Sequence, residues 1–320
     1  MDTVPGTIRL RPVDSVDITI LVDNSVDRLL RSEDSTVRPA ILGDWMKGPQ
    51  LRAEHGFSAL ITIRADGAET RILYDAGLTS DTLTHNLGVL GISLREVSSV
   101  VLSHGHGDHH GGLEGLLREV GRRRLPLILH PDAWKARKIV FPTGAEANLP
   151  PPDRAMLAAA DVDILESEGP SYLFGETALI SGRVERVTEF ETGFPIQWAR
   201  GASGWEPDPM VWDDQYLACD VKGKGLVVVS GCGHAGVINI LRNARRSTSV
   251  DRIHAVLGGF HLTGSLFEPV IPRTVAEIEK LHPDFIVPGH CTGWKARHEL
   301  GRRLPAAYLE SSVGTRFHFG

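Results

Sequence analysis

Ser103-His104-Gly105-His106-Gly107-Asp108-His109-His110-Gly111-Gly112 places four of the chain's 14 histidines within seven residues. A short apolar run, Val100-Val101-Leu102, precedes it. Leu113, Leu116, Leu117 and Val120 follow with the spacing of one helix face. The stretch is therefore a strand-to-helix loop. Imidazole nitrogens and a carboxylate are ligands that Zn²⁺, Fe²⁺ and Mn²⁺ accept. His104 and His106, two apart on extended backbone, point to one side and can share an ion. Asp108 and His109, where the chain turns into the helix, can face a second ion. Glycines 105, 107, 111 and 112 are expected to let the backbone turn tightly and to keep bulk away from the ions. Chance would give His-x-His-x-Asp-His in roughly two of a thousand such chains, so a merely His-rich polar loop is the weaker reading.

Working outward, residues 16–22, 57–64 and 70–74 read as strands, the last two joined by a turn at Ala65-Asp66-Gly67. Beyond the motif, short apolar strands at 125–129, 226–229, 254–257 and 285–287 alternate with helix faces. One face carries Val237, Ile240, Leu241 and Ala244; another carries Val275, Ile278 and Leu281. Early hairpins followed by strand–helix alternation predict an α/β (α+β) chain of mixed sheets covered by helices. A single domain over 1–320 is expected, with irregular inserts at 25–54 and 181–214 near the active site. The second insert holds Phe194, Trp198, Trp205 and Trp212, three of the chain's six tryptophans among them. A loop packed on its own aromatics and a wall over a substrate fit these residues about equally.

Composition narrows the function classes. With 42% hydrophobic and 23% charged residues, the 320-residue chain resembles an ordinary soluble protein. Forty acids against 34 scattered bases give a net charge of −6, which disfavours nucleic acid as main partner. No run approaches the ~20 apolar residues of a membrane span. Residues 1–6 lack the basic flank and apolar segment of a secretion signal. Cys219, Cys232 and Cys291 are too few and odd in number for a disulfide framework. The expectation is a cytoplasmic chain acting on a small-molecule substrate, without nucleic acid or membrane; homo-oligomer formation is left open.

The motif resembles the signature of the metallo-β-lactamase-fold superfamily. Val22-Asp23-Asn24, Leu73-Tyr74-Asp75-Ala76-Gly77, Ser230-Gly231-Cys232-Gly233-His234-Ala235-Gly236, Gly258-Gly259-Phe260-His261-Leu262 and Pro288-Gly289-His290-Cys291-Thr292-Gly293 are similar to one branch of it. That branch comprises metal-dependent hydrolases related to dihydropterin–ribofuranosylaminobenzene phosphate synthase. The resemblance implies a four-layer αββα sandwich with two divalent metal ions at one edge of the sheets, zinc first, with iron or manganese open. It implies His104, His106 and His234 around one ion, and Asp108, His109 and His290 around the other. Asp75 would orient a ligand from behind. His234 and His290 each follow an apolar strand and a small residue, which puts both on a rim of strand ends. Many members carry a bridging aspartate between the last two ligand histidines. His261 stands there in this chain, expected instead to bind substrate or to shuttle a proton.

Other residues stay open between two roles. Cys232 is a thiolate ligand or a small buried cysteine in a tight turn, and Cys291 shares that ambiguity. His110 is expected behind the ligands or at the surface rather than on substrate, and His130 is structural or pocket-lining. His55, His85, His282, His298 and His318 are expected at the surface. Asn24 reaches the pocket rim or simply follows a strand in a turn. The reading that results is a metal-dependent hydrolase in which Asp108 both ligates and acts in catalysis. Its metal-activated hydroxide would attack a small organic ester, lactone, thioester, amide or phosphoester. Group transfer on a pterin-like or phosphorylated substrate, stacked on the tryptophans, is the alternative. A metal-binding sensor without turnover is the third reading, disfavoured by the complete ligand set.

Overall fold

The computed structural model describes residues 9–32, 35–40, 47–121 and 124–320. The expectation for residues 1–6, and the parts of the 25–54 insert at 33–34 and 41–46, lie outside them.

Two mixed sheets stack face to face. The first runs Val37–Arg38, Arg316–Phe319, Ser15–Val22, Ser58–Ala65, Ala68–Tyr74, Ser99–Val101, Pro126–Leu129, Asp163–Glu166 in spatial order. The second runs Ser171–Leu173, Ala178–Ile180, Tyr216–Val221, Gly225–Ser230, Ile253–Gly258, Phe285–Pro288. Side-chain alternation explains the stacking. Ile18, Ile61, Ile63, Leu217, Val227, Val229 and Leu257 meet in the core between the sheets. Their neighbours face outward: Leu60 and Leu73 meet Leu83, Leu113 and Leu116, while Val228, Val256 and Ile286 meet Val237, Ile240 and Val275. The helices Ser80–Leu90 and Leu113–Val120 thus cover the first sheet, and Val237–Thr248 and Ile271–Leu281 cover the second. The order is helix, sheet, sheet, helix, as the sequence implied. The unbroken apolar run Leu226–Val229 has its cause here, because that strand is buried on both faces.

Each sheet begins antiparallel and ends parallel. In the first, the hairpin of Ser58–Ala65 and Ala68–Tyr74 turns through Asp66 and Gly67, both with positive φ, the geometry that suits right-twisted strands. From Ala68–Tyr74 onward the pairing is parallel; in the second sheet it becomes parallel from Gly225–Ser230 onward. Parallel strands present their carboxyl ends together, and loops leaving such ends are where α/β proteins bind ligands.

The insert at 181–214 departs from a plain loop. Gln197–Gly201 and Gly204–Pro207 form a hairpin in a third sheet with Arg137–Val140 and Glu146–Leu149, all antiparallel. These strands are four or five residues long and carry arginine, glutamine, glycine and proline, so neither apolar alternation nor β-branching announced them. Among the described residues, no helix is long and apolar enough to cross a membrane.

Candidate metal centre

The loop after Ser99–Val101 supplies one rim of the site. The fully buried His104 and the nearly buried His106 lie with ring centroids 4.5 Å apart. His106 precedes a single helical turn, Gly107–His110, which carries Asp108 and His109. Each ring of this rim has one nitrogen already engaged. Ser103 Oγ lies 2.9 Å from His104 Nδ1, Gln197 Oε1 accepts from His106 Nε2 at 2.6 Å, and Asp75 Oδ2 accepts from His109 Nδ1 at 2.7 Å. Such contacts fix ring orientation and leave the other nitrogen for a ligand. Asp75 also accepts from Ser103 N and Oγ, both at 2.7 Å.

The opposite rim comes from three strand ends of the second sheet. His234 follows Gly225–Ser230, His261 follows Ile253–Gly258, and His290 follows Phe285–Pro288. His234 lies 4.9 Å from both His104 and His106, centroid to centroid. His290 lies 4.9 Å from His109 in the same measure, and its Nε2 is 3.3 Å from Asp108 Oδ2. Two groups therefore gather: His104, His106 and His234, and beside them Asp108, His109 and His290. His261 packs 4.2 Å from His234 and lines the cleft above it. Asp75, His261 and His290 all have φ between 45° and 59°, a left-handed backbone that costs non-glycine residues energy and clusters at functional sites.

The surroundings include Arg137, Gln197, Asp208, Asp213 and Asp214, which the sequence reading did not single out, together with Asp23 and Asn24, which it did. Arg137, buried beneath the site, bonds Asp213 through both terminal nitrogens and Asp208 through Nε. Asp213 accepts from Gly105 N at 2.8 Å, and Asp208 accepts from the Gln197 amide that holds His106. Asp214 accepts from Ala235 N at 2.8 Å, beside His234. Asp23 accepts from His290 N at 2.8 Å, and Asn24 donates to His290 O at 3.2 Å, so the first strand's end holds the last histidine's loop. The Asp213-Asp214 pair ahead of a strand was the one visible signal; a buried arginine has none.

Several readings need correction. His55, expected at the surface, is exposed but lines the cleft, with Nε2 3.7 Å from Asp108 Oδ2 and Nδ1 3.4 Å from the Asn24 amide. His110 also lines the cleft, its Nε2 3.1 Å from Pro150 O. His130, left open between a structural and a pocket-lining role, takes the structural one: its Nδ1 accepts from Asp132 N as a cap. Trp198, Trp205 and Trp212 do not line the cleft. Trp198 sits in the third sheet, Trp205 lies under Lys138 and Arg200, and Trp212 stacks on Arg183 with its centroid 3.6 Å away. The basic side chains over Trp205 and Trp212 occupy faces that a substrate ring would need. The apolar wall is Phe194, Ile139, Leu149 and Pro150, around a cleft of about 590 Å³. Glycines 105, 107, 111 and 112 have ordinary backbone angles rather than the tight turns expected. Gly111 and Gly112 are needed for close approach, since a Cβ would come within 2.0 Å of Leu78 O and 1.9 Å of Ala76 O.

Burial and neighbouring charge tune the groups differently. Burial, and then the other imidazoles, holds His104 and His234 well below the usual histidine range. Burial and Arg137 lower His106 to about 4. For His109 burial acts the same way, but Asp108 and Asp75 outweigh it and raise the ring to about 9. Burial raises Asp214 to about 6.

Whether the site suits a metal can be asked of its orphan atoms. His104 Nε2 and both nitrogens of His234 and His290 are buried without a hydrogen-bond partner, in a protein interior where such groups are normally satisfied. Asp108, His109 and His290 lie with Cys232 in one group whose donor atoms are within 4.8 Å of one another, and His104 and His234 share another with it. Nitrogen, oxygen and sulfur donors at this spacing fit divalent cations.

A family model for the metallo-beta-lactamase superfamily matches residues 52–245. The chain is 29% identical, over 253 residues, to the 7,8-dihydropterin-6-methyl-4-(beta-D-ribofuranosyl)-aminobenzene-5'-phosphate synthase of Methanocaldococcus jannaschii, covering 77% of this chain and 83% of that protein. It is 32% identical over 254 residues to the uncharacterized protein MJ0448 of the same organism, covering 78% and 88%. The crystal structure of Tm1679, described as a metal-dependent hydrolase of the beta-lactamase superfamily, is similar with a TM-score of 0.73 and 25% identity, over 94% of this chain and 98% of that one.

Proposed function

The chain belongs to the metallo-β-lactamase superfamily, and from that premise we propose that it hydrolyses a small acyl substrate: an ester, lactone, thioester or amide. The observation that carries the proposal is the set of buried nitrogens of His104, His234 and His290 without hydrogen-bond partners, gathered in two adjoining donor groups, one of which holds Asp108 with its Oδ2 3.3 Å from His290 Nε2. His104, His106 and His234 would hold one divalent ion, and Asp108, His109 and His290 a second. Bound there, such ions supply Lewis acidity and lower the pKa of water.

The chain's own groups do the rest. Asp108 is the single carboxylate among the described residues lining the cleft, and Oδ2 can accept a hydrogen bond from the attacking water and align it. His261 Nδ1 has no hydrogen-bond partner, and the ring lines the cleft; it would hand a proton to the leaving group. Phe194, Ile139, Leu149 and Pro150 would receive the apolar part of the substrate and exclude water. No lysine or arginine is among the described residues lining the cleft. A phosphoester would have only the two ions to pair with, whereas the apolar wall suits the acyl chain of a neutral ester.

Group transfer is the second reading, favoured by the likeness to a synthase. It has only Phe194 to stack a flat ring, since the tryptophans lie elsewhere. A panel of acyl compounds and phosphoesters given to the zinc-loaded full chain separates the readings. Acyl turnover that falls about 10³-fold or more in Asp108→Ala is expected. Undiminished turnover by the metal-loaded variant would contradict it. Products formed only when a pterin is supplied would favour transfer.

A further inference from the structure

We infer that the Cys232 thiolate is itself a metal ligand, completing the Asp108, His109 and His290 group and reaching toward the His104 and His234 group. The inference rests on the metal centre proposed above and adds to it a sulfur donor. Cys232 is buried on the second rim and is the one residue common to all three groups of donor atoms that, among the described residues, cluster within 4.8 Å: with Asp108, His109 and His290, with His104 and His234, and with His261 and Cys291.

Distances carry the case. Metal–nitrogen bonds of about 2.0–2.1 Å and metal–sulfur bonds of about 2.3 Å at tetrahedral angles put donors of one ion about 3.3–3.6 Å apart. Cys232 Sγ is 3.3 Å from His109 Nε2. Asp108 Oδ2 is 3.3 Å from His290 Nε2 and 3.7 Å from His109 Nε2. Two of these separations match one coordination shell, the third is about 0.1 Å longer, and all four donors lie within 4.8 Å of one another. A simple S–H···N hydrogen bond accounts for the His109 contact alone. It leaves His104 Nε2 and both nitrogens of His234 and His290, all in buried side chains, without hydrogen-bond partners.

Charge points the same way. Five neutral imidazoles and Asp108 bring one negative charge to two dications. A thiolate adds a second directly on the ions, where Asp75, Asp213 and Asp214 stand one layer further back. On binding, the S–H bond breaks, the proton leaves to solvent, and the sulfur electron pair forms the bond to the metal. Cys291 has a different part: its Sγ lies 3.2 Å from Cys232 O and braces the turn that presents Cys232.

Full-length protein, reduced and reconstituted with zinc, is to be examined by X-ray absorption, and with cobalt by electronic absorption. A sulfur scatterer at about 2.3 Å and a thiolate-to-cobalt charge-transfer band are expected. Both should vanish in Cys232→Ser and persist in Cys291→Ser. Affinity for the weaker ion should fall in Cys232→Ser by more than the ~10–100-fold typical of losing an outer partner. Tightly bound zinc with only nitrogen and oxygen neighbours in the unmutated protein would overturn the inference and leave the metal centre standing. Failure to retain any divalent ion would bring down both.

Discussion

The two rims of the cleft are built on opposite plans. The first packs His104, His106, Asp108 and His109 into six residues and holds each ring from behind, through Ser103, Gln197 and Asp75. The second draws Cys232, His234, His261 and His290 from three separate strand ends, and neither His234 nor His290 has a hydrogen bond to either ring nitrogen. What holds His290 is its backbone, through Asp23 and Asn24. The contrast teaches that one rim is organised by protein before any ion arrives, whereas the ring positions of the other depend on a bound cation. Pre-orientation on one side lowers the entropy to be lost on binding.

Removing the first rim's support should have the largest effect. Asp75→Asn takes the anion from His109 and should weaken metal binding by about 100-fold; Gln197→Ala, which removes a neutral partner of His106, should cost nearer 10-fold. Competition titrations against a chelator measure both. Equal, small losses would mean that the first rim is no more preorganised than the second.

Proton release offers the next largest signal. His109 rises to about 9 between Asp108 and Asp75, so near neutral pH the ion-free ring is protonated and must lose that proton to ligate. In Cys232→Ser, where no thiol ionises, metal affinity should therefore rise by up to about tenfold per pH unit as pH increases toward 9, then flatten; in the unmutated chain, where the Cys232 thiol also loses its proton on binding, it should rise more steeply. His106, at about 4, should contribute no release in that window. Calorimetry in buffers of different ionisation enthalpy reads the proton count, and a pH-independent affinity of Cys232→Ser from 6 to 9 (the window set by about one titrating group) would count against His109 as a ligand.

A smaller effect separates the rims directly. Stripping ions with a chelator should mobilise the His234 and His290 rings, read as broadened imidazole NMR signals, while the rings of His104, His106 and His109 stay fixed by Ser103, Gln197 and Asp75. Equal loosening of both would erase the contrast.

The same asymmetry governs what could be read from sequence. The first rim is local, so its ligand types and spacing stand together in the chain, and the flanking strand and helix have clear periods. On the second rim, His234 and His290 drew notice only through likeness to a known family and through the apolar strands before them. The supporting ring of Arg137, Gln197, Asp208 and Asp213 comes from distant points, and each residue alone looks like surface polarity until packing buries it. The tryptophans misled because aromatic content marks burial as readily as binding: Trp212 is occupied by Arg183 and Arg186. The third sheet was illegible because its short strands are stabilised by Arg137 and Gln197 reaching buried carboxylates rather than by an apolar face.

Anomalous diffraction from crystals of the zinc-loaded chain tests the central claim most directly. The expected result is an ion bonded at about 2.0–2.1 Å to His104 and to His234 at once, with a second joining His109 to His290, so that each ion spans both rims. Zinc bound by one rim alone, or found only outside this cleft, would contradict it.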